Sequence, residues 1–245
     1  MIKEINRTSI MIVLLIGSFL TILNQTLLTT ALPHFMEDFQ INANKGQWLT
    51  TIFMLVNGVM IPITAFLIEK FTTRKLFFTS MMLFAIGTVV CALSPNFSVL
   101  LAGRVMQAAG AGILMPLMQT VLLLVFPVEK RGAAMGMTGL VISFAPALGP
   151  TLSGWIVEHY HWSVLFWFLI PIVLIDMIAA YFILQNVTTQ RTPKLDILSI
   201  VLSTTGFGGL LLGFSFVGEY LWLSPYVSLP IAIGLVTLVW FIVRQ

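Results

Sequence analysis

Charge and cysteine are what this chain has least of. Only 9% of its 245 residues are charged, while 58% are hydrophobic, against about a quarter charged in soluble domains. With a mean hydropathy of +1.02, a water-soluble domain is excluded and a bilayer protein expected. A single cysteine, Cys91, excludes a disulfide framework and a thiolate metal site. His34, His159 and His161 have no metal-ligand spacing, there is no Gly-rich nucleotide loop, and no nucleophile within an apolar run is paired with a base. Neither an enzyme nor a cofactor or metal is expected. The pI of 9.2 does not imply a nucleic-acid partner, because the charges sit between apolar runs.

What is present is a series of apolar runs long enough to cross a membrane, which takes about 20 residues. They lie at Ser9–Pro33, Gly46–Glu69, Leu76–Leu93, Phe97–Phe126, Ala133–Val157, Trp162–Leu184, Ile197–Val217 and Pro225–Val243. The first has a basic leader like that of a signal peptide, but seven further spans favour a transmembrane helix. Lys3, Arg7, Lys70, Arg74, Lys75, Lys130, Arg131, Arg191, Lys194 and Arg244 all fall on one side of the implied topology, and Lys45 alone on the other. The positive-inside rule then puts both termini in the cytoplasm.

Ionisable groups inside a bilayer are costly and face protein or a watery cavity. Two are present, Arg104 in the fourth span and Asp176 in the sixth. Gln107, three residues after Arg104, shares its helical face, with Ala108 and Ala111 leaving room beside it. That arrangement suits a polar cluster lining a cavity. Asp176 reads either as a side chain reaching the cytoplasmic interface or as a proton carrier or cation partner. Polar stripes also run along the first span (Thr21, Asn24, Gln25) and the second (Gln47, Thr50, Thr51, Asn57). Interhelical hydrogen bonds, about 0.6 kcal/mol each in membranes, account for Thr50 and Thr51. Asn24 and Asn57 are read as cavity residues, since mid-membrane amides need several partners.

The fifth span holds "SFAPALGPTLSGW", with two prolines and many small residues. Each proline removes an N–H and allows a bend. Ala145, Gly149 and Ser153 at i, i+4 and i+8 leave one side nearly smooth for close helix approach.

Four segments carry a family resemblance. "LIEKFTTRK" resembles the loop motif of the major facilitator superfamily, and "GRVMQAAGAG" its fourth-helix motif. "GMTGLVISFAPALGPTLSGW" is similar to its fifth-helix antiporter motif, and "LNQTLLTTALPHF" to the first-helix motif of its fourteen-span drug:proton antiporters. The resemblance implies an all-α polytopic fold: a six-helix lobe of two three-helix repeats, then two linking transmembrane helices. Residues 1–184 would form the amino-terminal lobe, 185–196 a cytoplasmic linker, and 197–245 the two additional helices.

The resemblance also implies roles. Glu69 and Arg74, with Glu129 and Arg131 of the next cytoplasmic loop, would form a charge-paired latch. Arg104 would take part in proton coupling, and Gly136, Ala145, Pro146, Gly149, Pro150 and Gly154 would belong to the flexible fifth helix. The chain departs from the family pattern at Asn24, where many relatives have an acid, at Glu69 for Asp, at Thr72 for Gly, and at Ala145 for Gly. Asp176 matches none of the motifs and is the best placed acid to carry a proton.

The implied function is proton-coupled efflux of amphipathic drugs or related small molecules, cationic ones included. It would proceed by alternating access, from a cavity lined by spans one, two, four and five, in the plasma membrane of a bacterium. The implied partners are substrate, protons, the lipid bilayer and a carboxy-terminal lobe absent from this sequence, so that the chain reads as the first half of a longer transporter. The other reading is a truncated, non-transporting membrane protein acting as a partner or assembly subunit.

Overall fold

A computed structural model describes residues 6–188, 190, 197–217 and 220–244. Most of the expected 185–196 linker, with Arg191 and Lys194, lies outside the described residues, as does Lys3. Among the described residues, eight helices account for the eight apolar runs: α1 (Arg7–Asp38), α2 (Ala43–Lys70), α3 (Thr73–Ala92), α4 (Phe97–Val125), α5 (Val128–His159), α6 (Val164–Ile183), α7 (Ile197–Phe216) and α8 (Pro225–Arg244). All eight are long and apolar enough to span a membrane, and the protein is a multi-pass membrane protein.

Several helices outrun the expected spans. α1 continues past Pro33 to Asp38, and α5 begins at Val128 and runs to His159. Apolarity marks the hydrocarbon layer, whereas a helix continues until its terminal N–H and C=O groups are otherwise answered. Side chains do this at four starts: Asn6, Asn42, Thr72 and Asn96 accept from the backbone N–H of Ser9, Lys45, Lys75 and Val99. The family departure at Thr72 therefore coincides with the N-cap of α3.

The first six helices pack as two related triplets. α1 lies on α5 as α4 lies on α2, and α3 lies on α4 as α6 lies on α1. Lipid gives apolar helices no hydrophobic reason to associate, so close approach and interhelical hydrogen bonds carry the packing. At the α3–α4 crossing a Cβ on Gly103 would lie 2.5 Å from Cys91 Sγ and 2.9 Å from the Gly87 carbonyl oxygen. Nearby, Ser80 Oγ donates to the Gly110 carbonyl at 2.7 Å. On α5, Ala145, Gly149 and Ser153 are all buried. Gly149 sits directly against Thr26, and Ser153 Oγ donates to the Leu27 carbonyl of α1 at 2.7 Å.

α7 and α8 pair with each other, and α7 rests on α2. Thr51 and Ser215 hydroxyls lie 3.3 Å apart there, and Trp48 meets Phe216 edge to face.

Gly103→Leu is expected to force α3 and α4 apart and cost about 1–3 kcal/mol or more. A lowered thermal midpoint in detergent, with Gly136→Leu on the open side of α5 as the neutral control, checks this.

Candidate functional site

The α1, α2 and α4 faces enclose an open cavity of about 370 Å³. Its polar groups are the Thr21 hydroxyl and the amides of Gln25, Asn57 and Gln119, one amide from each helix. Phe53, Ile61, Ile22 and Met115 form much of the apolar wall. A smaller hollow of about 270 Å³ continues it along α2 past Met54 and Gly58. α5 contributes no lining residue, contrary to expectation, because its buried edge is turned onto α1.

Of the residues expected in the cavity, Asn57 lines it. Arg104 and Gln107 do not; they lie behind Phe53, at 1% and 0% exposure. The Arg104 guanidinium stacks on the Phe53 ring, 4.3 Å from its centre. Its Nε donates to the Leu49 carbonyl at 3.3 Å and its Nη1 to Gln107 Oε1 at 2.7 Å. Gln107 Nε2 donates to Thr88 Oγ1 at 2.9 Å, and Thr88 Oγ1 to the Phe84 carbonyl at 2.7 Å. A buried cation is thus held by one backbone carbonyl and a ring of α2 and one side-chain amide of α4, which Thr88 of α3 in turn supports.

Asn24 and Asp176 occupy a third place. Asp176 reaches α1 rather than the interface: it is 3% exposed, and a Cβ on Gly17 would lie 3.1 Å from its Oδ2. Asn24 stands two turns along α1 from Gly17, about 10 Å at 1.5 Å per residue. Among the described residues, the buried side-chain oxygens and nitrogens without a hydrogen-bond partner are those of Ser18, Asn24 and Asp176. Each such group costs about 1–3 kcal/mol; two of the residues belong to α1 and the third is Asp176 of α6, set against α1 at Gly17.

The residues of the expected latch are separate in this conformation. Arg74 Nη2 donates to the Tyr181 carbonyl at 2.9 Å, and its guanidinium lies over the Tyr181 ring. Arg131 Nε donates to the Phe126 carbonyl at 3.2 Å. Among the described residues no ion pair joins Glu69, Arg74, Glu129 and Arg131; at the opposite end His161 Nε2 lies 3.4 Å from Asp38 Oδ2. The physical reason is local: Tyr181 and Phe126 sit at helix C-termini, whose carbonyls lack intrahelical donors and carry partial negative charge.

α5 has a second smooth face. Gly132, Gly136, Gly139, Ser143, Pro146 and Pro150 are exposed along it, and a Cβ on any of its three glycines, or on Gly154, meets nothing within 4 Å. Ala145 and Gly149 belong instead to the face packed on α1.

Gln25 belongs to the polar stripe expected on α1, but Gln119 is a residue that sequence reasoning misses. It lies at helical spacing from Arg104 through Ala108, Ala111 and Met115, which places it on the cavity side of α4.

Comparison with known proteins agrees with this architecture. Residues 14–244 match the family model described as Major Facilitator Superfamily. An uncharacterised MFS-type transporter of Bacillus subtilis, YcnB, is 61% identical over 99% of this chain and 52% of its own length. The lincomycin resistance protein LmrB of the same organism is 46% identical over 96% of this chain and 50% of its own. The chain spans about half the length of these curated relatives. The crystal structure of the human organic anion transporter MFSD10 shares the fold, with a TM-score of 0.64 and 16% identity over 97% of this chain and 71% of that one.

Gln107→Leu leaves Arg104 Nη1 and Thr88 without a shared partner and is expected to cost about 1.5–3 kcal/mol. Adding Arg104→Leu should recover part of that loss, because the uncompensated cation is removed as well. Thermal midpoints of both single variants and the double variant measure the coupling, expected at about 1 kcal/mol or more.

Proposed function

The chain belongs to the major facilitator superfamily, a family of transporters rather than enzymes, and we propose that it forms the amino-terminal half of a proton-coupled exporter of amphipathic small molecules. The observation that carries this reading is the α1–α2–α4 cavity. It is apolar enough to take a lipophilic body, open on one side, and edged by polar groups that fix orientation. The relative named for lincomycin resistance supports the substrate type.

In this reading residues 1–184 are the transporter lobe, joined through 185–196 to the α7–α8 pair, with both termini in the cytoplasm of a bacterial cell. A second six-helix lobe, in the same or another chain, closes the cavity. It meets the open small-residue face of α5, where lack of side-chain bulk permits sliding contact. Rocking of one lobe on the other exposes the cavity to each side in turn. Glu69, Arg74, Glu129 and Arg131 then act as a latch whose charges find partners when the lobes change places.

Asp176 is the proton site. Its carboxyl, unpartnered at the α1–α6 crossing, changes charge by one unit when it binds or releases a proton, and α1 carries the consequence to the cavity on its adjoining face. Ser18 and Asn24 offer this carboxyl and the proton polar neighbours along α1. Arg104 provides fixed positive charge behind Phe53.

The test uses the two-lobed protein in proteoliposomes with an imposed pH gradient. Wild type should concentrate a neutral amphipathic dye only with the gradient, while exchanging it without one; no gradient-dependent accumulation overturns the efflux reading. Asp176→Asn is expected to abolish the gradient dependence while leaving dye exchange intact. Undiminished proton-driven export would remove Asp176 from the mechanism.

A further inference from the structure

The chemistry of the cavity wall narrows the substrate. Gln25, Asn57 and Gln119 project amides from three different helices into one cavity. Among the described residues none of the three side chains makes a hydrogen bond to the protein. Each amide offers one carbonyl acceptor and an NH2 group with two donors. In membrane helices such groups are normally answered by a neighbouring helix, as Gln107 is by Arg104 and Thr88. Three left open around one space form a recognition surface of matched donors and acceptors without charge.

The wall also lacks the means to hold an ion. Among the described residues, no Asp, Glu, Lys, Arg or His lines the cavity. Phe53, the aromatic ring best placed to attract a cation, already carries the Arg104 guanidinium. A ligand cation against that ring would meet a like charge. An anion fares no better, since Arg104 is 1% exposed and bonded to Leu49 and Gln107 behind the ring. This lobe would leave the desolvation of an ion against its wall uncompensated, whereas hydroxyls and neutral amides would exchange water for the three side-chain amides at little cost.

We infer that this lobe recognises uncharged amphipathic molecules bearing several hydroxyl or amide groups: the polar head bonds Gln25, Asn57 and Gln119, and the apolar body lies on Phe53, Ile61 and Met115. The inference rests on the cavity being the ligand site of the transporter, and it adds the ligand class.

Binding to the 245-residue chain in lipid nanodiscs tests it without a gradient, so its failure is distinguishable from a failure of proton-driven export. Three radiolabelled probes are compared below their micellar concentrations: octyl glucoside (neutral, polyhydroxylated), tetraphenylphosphonium (cation) and laurate (anion). The wild type should bind octyl glucoside at least about tenfold more tightly than either ion, roughly the effect of 1.4 kcal/mol. The double variant Asn57→Leu/Gln119→Leu, monodisperse on size exclusion, should lose that preference. Gln119→Glu should gain tetraphenylphosphonium binding, a result that misfolding does not produce. Tighter binding of tetraphenylphosphonium or laurate by the wild type, or octyl glucoside binding unchanged in the folded double variant, would overturn the inference.

Discussion

Inside a bilayer a polar group that the protein does not answer stays unanswered, since neither water nor a lipid tail can replace the missing partner. The whole structure can be understood from how this constraint is met or left unmet. Arg104 meets it through Leu49, Gln107 and the Phe53 ring. Four helix starts meet it through Asn and Thr caps, and the C-terminal carbonyls of Tyr181 and Phe126 through Arg74 and Arg131. The groups left over are few and grouped. One set is buried and polar, at Ser18, Asn24 and Asp176; the other is open and amide-bearing, at Gln25, Asn57 and Gln119.

These two sets share α1. Gly17, against Asp176, is one turn from Thr21 and two from Asn24, while Thr21, Ile22 and Gln25 face the cavity. A change of charge at the α6 crossing and a ligand in the cavity therefore act on adjoining faces of one helix. α1 is itself held to α5 by close packing at Gly149 and by the Ser153 bond to Leu27. Displacement of α1 would move α5, whose outer small-residue face is exposed.

The spans are legible in the sequence because hydrocarbon thickness sets a length that an apolar window measures directly. The caps at Asn6, Asn42, Thr72 and Asn96 emerge only with the structure, because hydropathy marks the span and not the turn that precedes it. The smooth side of α5 containing Ala145, Gly149 and Ser153 follows from helical periodicity. The site is legible only in part. Arg104 and Gln107 share a helical face, but nothing in their spacing tells that Phe53 from another helix screens them from the cavity. Asn24 and Asn57 look alike in sequence, yet one is sealed and the other lines the cavity, because the partner faces are set by tertiary packing. Gln119 escapes notice as a lone amide in an apolar run until α1 and α2 supply two more. The expected pairing of Glu69 with Arg74 gives way to helix-end carbonyls that are nearer to the guanidinium.

The central claim is that the ligand cavity and the Asp176 carboxyl communicate through α1. Ligand-induced infrared difference spectroscopy of the chain in lipid tests this most directly. Octyl glucoside binding should shift a carboxyl C=O band that is missing from the Asp176→Asn spectrum. A difference spectrum in which ligand binding leaves that band unmoved would contradict the account.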